Sequence, residues 1–217
     1  MVPPQNANPD EADRIHRAAA GDRQVWSGLL ADHRARLRRM VALRLDPRLQ
    51  GRIDPSDVIQ ETYLEAASRL AEYLRQPTMP FFLWLRFLAG QKLVTLHRHH
   101  LSRQMRDAGR EVSLYRGRLP EASSAALAAQ LLGREARPSE AAIRAELKIR
   151  LQEALNSMDP LDREILALRH FEQLSLAEAA EVLGMTESGA CRRHLRALKR
   201  LKDILSSLPG GLGDLLP

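Results

Sequence analysis

Between Asp22 and Leu45 the apolar residues Val25, Trp26, Leu29, Leu30, Leu37, Met40, Val41 and Leu45 return at three-, four- and seven-residue steps, with arginines between them. That spacing follows the turn of a helix and not the alternation of a strand, so it predicts an amphipathic helix with a basic outer face. The rest of the chain leans the same way. Hydrophobic residues make up 44% of it but aromatics only 4%, so its apolar content is mostly Leu and Ala, which favour helices over strands.

A polar break at 46–52 follows. Asp54 with Pro55 then forms an N-cap and first-turn pair for a second helix reaching about Leu74, with an expected apolar face of Val58, Ile59, Leu64, Ala67, Leu70 and Tyr73. The two prolines of RQPTMP mark a loop. After it, FFLWLRFLAGQKLVTLHRHHL predicts a third long helix, apolar at first and basic at its end. Helices of this kind close a small bundle.

From about 102 to 138 the periodicity weakens and Arg, Gly, Ser and Ala dominate, which predicts a flexible linker with a candidate helical piece at Ser123 to Leu132. Ser139 and Glu140 open a new helix ending near Met158, and PLDREILALRHF is a shorter one. Ser175 caps LAEAAEVL, Gly184 supplies a left-handed turn, Thr186 caps again, and a last helix runs from Glu187 to about Leu205. The expected fold is all-α with two small helical domains: a disordered arm at 1–10, an N-terminal bundle at 11–101, the linker at 102–138, a C-terminal helix-turn-helix domain at 139–207 and a tail at 208–217.

Several function classes drop out on composition. No apolar run approaches the roughly 18 to 20 residues of a membrane-spanning helix, since Arg86 interrupts the longest one, Phe81 to Ala89. The acidic, polar N-terminus lacks a secretory signal, so the expected location is the cytoplasm, away from membranes. Cys191 is the only cysteine, which excludes an internal disulfide and a thiolate-rich metal site. There is no phosphate loop and no HExxH or GxSxG motif, so no enzymatic activity and no cofactor are expected. His97, His99 and His100 raise a metal alternative, but no carboxylate close in sequence completes the set, and a basic DNA-facing helix end is the favoured reading.

The formal charge of +6 gains meaning from its placement. Two helices joined by a short Gly-containing turn are the layout of a helix-turn-helix, whose second helix enters the major groove of DNA. Here the first helix is acidic. The second carries Arg192, Arg193, Arg196, Lys199, Arg200 and Lys202 with no acid between Glu187 and Asp203, while Ala190, Leu198, Leu201 and Leu205 are free to pack inward. Arginine forks suit phosphates and guanine edges, and Thr186, Glu187 and Ser188 are polar at the start of the helix, where bases are often read. A basic amphipathic helix can also be no more than a solvated face.

The segment LNSMDPLDREILALRHFEQLSLAEAAEVLGMTESGACRRHLRALKRL resembles the C-terminal DNA-binding domain of sigma-70-type factors, although Met158-Asp159 stands where Leu-Pro is usual. The resemblance implies DNA reading by Thr186, Glu187, Ser188, Arg192, Arg193 and Arg196, a phosphate contact at Arg200, and a contact with the flap of the polymerase beta subunit. The segment DPSDVIQETYLEA looks like the sigma-factor helix that docks on the clamp helices of the beta-prime subunit, with Asp54, Asp57, Gln60 and Glu61 at the matching polar positions. Carboxylates three and four residues apart form an acidic stripe suited to a basic partner helix, or simply complement the helix dipole.

The third helix resembles the one that melts the promoter and reads its downstream element. Gln91, Lys92, Arg98 and His99 are its candidate DNA contacts together with Arg103, and Arg75, Gln76 and Thr78 are candidates for a pocket around an extruded base. Trp84 reads as a packing residue. The short architecture is similar to the extracytoplasmic-function group, which implies a factor that binds core RNA polymerase, recognises promoter DNA and helps open it. An anti-sigma factor is a further partner that the resemblance allows. The competing reading is a helix-turn-helix transcriptional regulator that acts without polymerase.

Overall fold

The computed structural model describes residues 9–105, 120–132 and 141–207. Most of the expected arm (1–8), the expected tail (208–217), two stretches of the expected linker (106–119 and 133–138) and the helix opening at Ser139 and Glu140 lie outside them. Among the described residues every regular element is helical, apart from one isolated bridge between Gln50 and Ile53. No helix among them is long and apolar enough to cross a membrane. The chain divides into two compact units, Met1–Pro120 and Glu121–Pro217.

The first unit holds α1 (Pro9–Ala19), α2 (Arg23–Arg44), α3 (Pro55–Arg75) and α4 (Phe81–Met105). Gly21, at φ +102°, turns the chain between α1 and α2, and the Asp22 side chain accepts from the Val25 N–H to start α2. The ion pair Arg14–Asp32 (2.8 Å) and the hydrogen bond from His33 to Glu11 (3.1 Å) hold α1 on α2. The core is lined by Leu29, Leu37, Met40, Leu43, Ile59, Leu85, Leu88 and Leu93, each at most 1% exposed. Trp84 stacks on Tyr73 with ring centroids 4.6 Å apart, and Phe81 meets Trp26, Tyr73 and Trp84, so Trp84 is a packing residue as expected.

The buried face of α3 differs from the expected one. Val58, Ile59, Thr62, Ala66, Leu70 and Tyr73 face the core, whereas Ala67 is exposed and Leu64 is 74% exposed. A threonine can replace a leucine in that stripe because its hydroxyl donates to the Val58 carbonyl one turn back (2.7 Å), which leaves no polar group unpaired. Tyr63 donates to the Leu30 carbonyl (2.7 Å), tying α3 to α2.

The second unit contains α5 (Ser124–Leu131), α6 (Ala141–Asn156), α7 (Pro160–Leu166) running into a wide π-type turn at Ala167–Phe171, α8 (Leu176–Leu183) and α9 (Glu187–Ser207). The helical piece anticipated at Ser123 to Leu132 is α5, capped by Ser123 and packed on α6, so it belongs to the second unit's core through Leu127 and Ala128. Asp159 caps α7 by accepting from the N–H groups of Leu161 (2.8 Å) and Asp162 (3.3 Å), with Pro160 in the first turn. Ser175 and Glu178 form a reciprocal capping box at the start of α8, and Gly184 ends it in the left-handed region at φ +64°.

Candidate nucleic-acid interface

In the α8–Gly184–α9 hairpin six basic residues are gathered between Arg192 and Lys202 of α9. Thr186 accepts from the Gly189 N–H (3.1 Å) and so caps α9, and its hydroxyl also meets that of Ser188 (3.3 Å). Ala190 and Ala197 are fully buried and Ile204 nearly so, which fixes the inner face of α9 on α7 and α8. Leu198, Leu201 and Leu205 are half-buried around that stripe. Thr186, Glu187, Ser188, Arg192, Arg196, Lys199, Arg200 and Lys202 are exposed opposite it. Leu195, 61% exposed, lies in the middle of the basic face. No acidic side chain in α9 between Glu187 and Asp203 screens this field, so it attracts a polyanion.

Arg193 stands apart from its neighbours. Its Nη1 donates to Asp162 (2.6 Å) and Asp159 (3.1 Å) at the start of α7, and its side chain is only 22% exposed. Its expected place among the DNA-facing side chains is therefore not where its guanidinium points. The next residue, His194, meets His170 of the π-type turn Nε2 to Nε2 at 2.8 Å, with ring centroids 5.0 Å apart. Burial pushes both imidazoles below their ordinary pKa, with Arg169 adding to the effect on each.

In the first unit, Gln91, Thr95, Arg98 and His99 are exposed along α4 at near-helical steps. Lys92 is turned aside and pairs with Glu65 of α3 at 2.9 Å; its hydrogen bond is the main cause of a lowered Glu65 pKa. His97 also turns inward, where its Nε2 accepts from the Asp46 N–H (3.2 Å) and burial lowers its pKa. Accepting there requires a neutral ring, and the use of His97 in loop packing was not legible from the HRHH run. Arg75 at the end of α3 and Gln76 and Thr78 in the loop before α4 are exposed, and Tyr73 anchors that loop by donating to the Met79 carbonyl (2.9 Å). The side chain of Arg103 lies outside the described residues.

The acidic stripe of α3 separates into two roles. Asp54 accepts from the Ser56 N–H at 2.7 Å, and this bond lowers its carboxyl pKa, so it serves as the helix cap. Asp57, Gln60 and Glu61 are exposed one turn apart on one side of α3, and Leu64 continues that side. Sequence reasoning missed Leu64 because it placed the residue in the core. Its signal was its spacing, seven residues after Asp57 and three after Glu61.

Residues 148–201 match the family model described as Sigma-70, region 4. The ECF RNA polymerase sigma factor SigD of Mycobacterium tuberculosis is 31% identical over 189 residues, covering 87% of this chain and 81% of that protein. The RNA polymerase sigma factor CnrH of Cupriavidus metallidurans is 29% identical over 205 residues, covering 92% and 97%. The solved structure of CnrH in complex with the cytosolic domain of CnrY matches with a TM-score of 0.51 at 24% identity, covering 89% of this chain and 96% of that one, which is a likeness of fold.

Proposed function

Because this chain belongs to the sigma-70 family of RNA polymerase sigma factors, as an extracytoplasmic-function-like member, we propose that its two units divide the work of a factor that binds core polymerase and recognises promoter DNA. The exposed face of α3, with Asp57, Gln60, Glu61 and Leu64, docks on the basic clamp helices of the beta-prime subunit. The start of α9 enters the major groove of upstream duplex, where Thr186, Glu187, Ser188 and Arg192 reach base edges and Arg196 and Arg200 hold phosphates. Gln91, Arg98 and His99 on α4 meet the downstream strand as it opens, and Lys92 supports them by fixing α4 to α3.

The observation that carries this reading is the outer face of α9. Its exposed arginines and lysines follow a left-handed Gly184 turn inside the segment that matches region 4. The mechanism is binding without bond-making. Opening a promoter requires only that unpaired bases be held better than stacked ones, by a few kcal/mol per extruded base. Such a factor works in the cytoplasm, beside the polymerase. A protein that masks it, as CnrY binds CnrH, stands in the proposal as an anti-sigma factor.

Run-off transcription with core polymerase on genomic promoter fragments tests the proposal. Specific transcripts are expected with the wild-type chain and none with Asp57→Ala/Gln60→Ala/Glu61→Ala. A chain that neither associates with core nor initiates on any fragment would be a helix-turn-helix regulator independent of polymerase.

A further inference from the structure

Resting on α9 as the promoter-facing helix, we propose that Arg193 is a positioning residue: its guanidinium latches α9 to the start of α7 through Asp162 and Asp159, and it sets the pose of the neighbouring arginines without touching DNA itself. The contact surface around it calls for such a device. Ala190 and Ala197, one turn before and after Arg193, are both 0% exposed, so small side chains bring α9 close to its neighbours. Apolar packing of that kind settles which face of α9 turns inward but, being non-directional, does not hold the fine rotation of the helix about its axis. A charge-assisted hydrogen bond at a fixed acceptor supplies the missing direction.

The acceptors are fixed. Asp159 already accepts from the Leu161 and Asp162 N–H groups as the cap of α7, and Asp162, in the first turn, is 7% exposed. Both carboxylates also sit at the positive end of the helix dipole. Swinging Arg193 out to a phosphate would leave the buried Asp162 carboxylate with no other ion pair among the described residues, a cost that favours the guanidinium staying in place. Arg192 and Arg196, one before and three after it, are exposed, and among the described residues neither pairs with a carboxylate; Arg192 donates only to the Ser188 carbonyl of its own helix (3.3 Å). Asp159 is also where the chain departs from the Leu-Pro pair usual in sigma-70-type factors, so one half of the latch comes from this sequence's own variation.

The test uses the full-length chain assembled with core polymerase on a duplex fragment from which it initiates, with affinity measured across a salt series. Arg193→Ala is expected to weaken binding about tenfold, in the range of coupled contacting pairs. The slope of log affinity against log salt stays that of the wild type. Arg196→Ala, which removes a phosphate contact, lowers the slope by about 0.9. Asp162→Asn decides the sign: loss of the latch weakens binding, whereas a guanidinium released toward DNA would strengthen it.

The double variant Asp162→Asn/Arg193→Ala is expected to bind no more weakly than the weaker single. Arg193→Lys, which keeps the charge but loses the planar guanidinium fork, should fall between wild type and Arg193→Ala, and it carries the test if the alanine variant loses helicity by circular dichroism. A reduced salt slope for Arg193→Ala, or tighter binding for Asp162→Asn, overturns the proposal. If Arg196→Ala changes neither affinity nor slope, the promoter-facing role of α9 fails and the latch fails with it.

Discussion

Replacing Leu64 with alanine removes an isobutyl group from the middle of the proposed docking face while leaving the core of the first unit untouched. Burying a leucine side chain fully contributes about 1.5–3 kcal/mol. With 74% of Leu64 in water, most of that gain is still to be had, and covering it against a partner yields about 1–2 kcal/mol. The dissociation constant for core polymerase should therefore rise about fivefold to thirtyfold in Leu64→Ala. The free chain should unfold within about 0.5 kcal/mol of wild type, because a surface side chain with no internal partner is lost. Fluorescence anisotropy of labelled chain titrated with core polymerase measures the first quantity, and urea denaturation the second. Unchanged affinity for core would refute the docking face as drawn. A drop in stability of several kcal/mol would refute the view that Leu64 lies outside the core.

Gly184→Ala should destabilise the second unit by about 1 kcal/mol: no atom lies within 4 Å of the added Cβ, so the cost is that of a left-handed backbone alone, and Gly184→Asn should recover part of it in the same urea titration. Tyr63→Phe should cost about 1 kcal/mol by deleting the bond to the Leu30 carbonyl, and the burial that pushes the Tyr63 phenol up to about 12 should keep it from ionising in a pH titration of the wild type until well above the ordinary tyrosine value. The pKa values of His170 and His194 are depressed in the folded chain, so the unfolded chain takes up protons first as pH falls; their contribution is whole above about pH 6.5 and is lost as pH falls through the lower folded values. Melting temperatures across that range should therefore drop on the acid side, and His170→Ala/His194→Ala should flatten the part of the slope that His97 does not supply.

The helical periodicity, the Asp54-Pro55 start, the Ser175 cap and the Gly184 turn were legible because each rests on local chemistry: a side-chain oxygen near orphan N–H groups, or a residue without a Cβ where φ is positive. The missed features depend on partners distant in sequence. Thr62 reads as polar and Leu64 as apolar, yet an intrahelical hydroxyl bond lets the first be buried, while the second lies on the outer side of α3 in water. Arg193 cannot be told from Arg192 by type; only α7, 31 residues away, draws it aside. Gln173 adopts φ +59° between the π-type turn and α8, a left-handed position with no glycine to announce it. Likewise Lys92 and His97 look like further basic residues at a helix end until Glu65 and the backbone of Asp46 claim them.

The aromatic cluster around Phe81 has a practical consequence. Both tryptophans, Trp26 and Trp84, and all three tyrosines precede Pro120, and the second unit contributes only Phe171 to the chain's aromatic rings of this kind. Tryptophan emission is thus a private optical signal of the first unit, whereas far-ultraviolet dichroism sums the helices of both. Recorded on one sample during denaturation, the two signals separate the melting of the first unit from that of the second without any label. Changes introduced into α9 can then be judged against an internal standard that they do not touch.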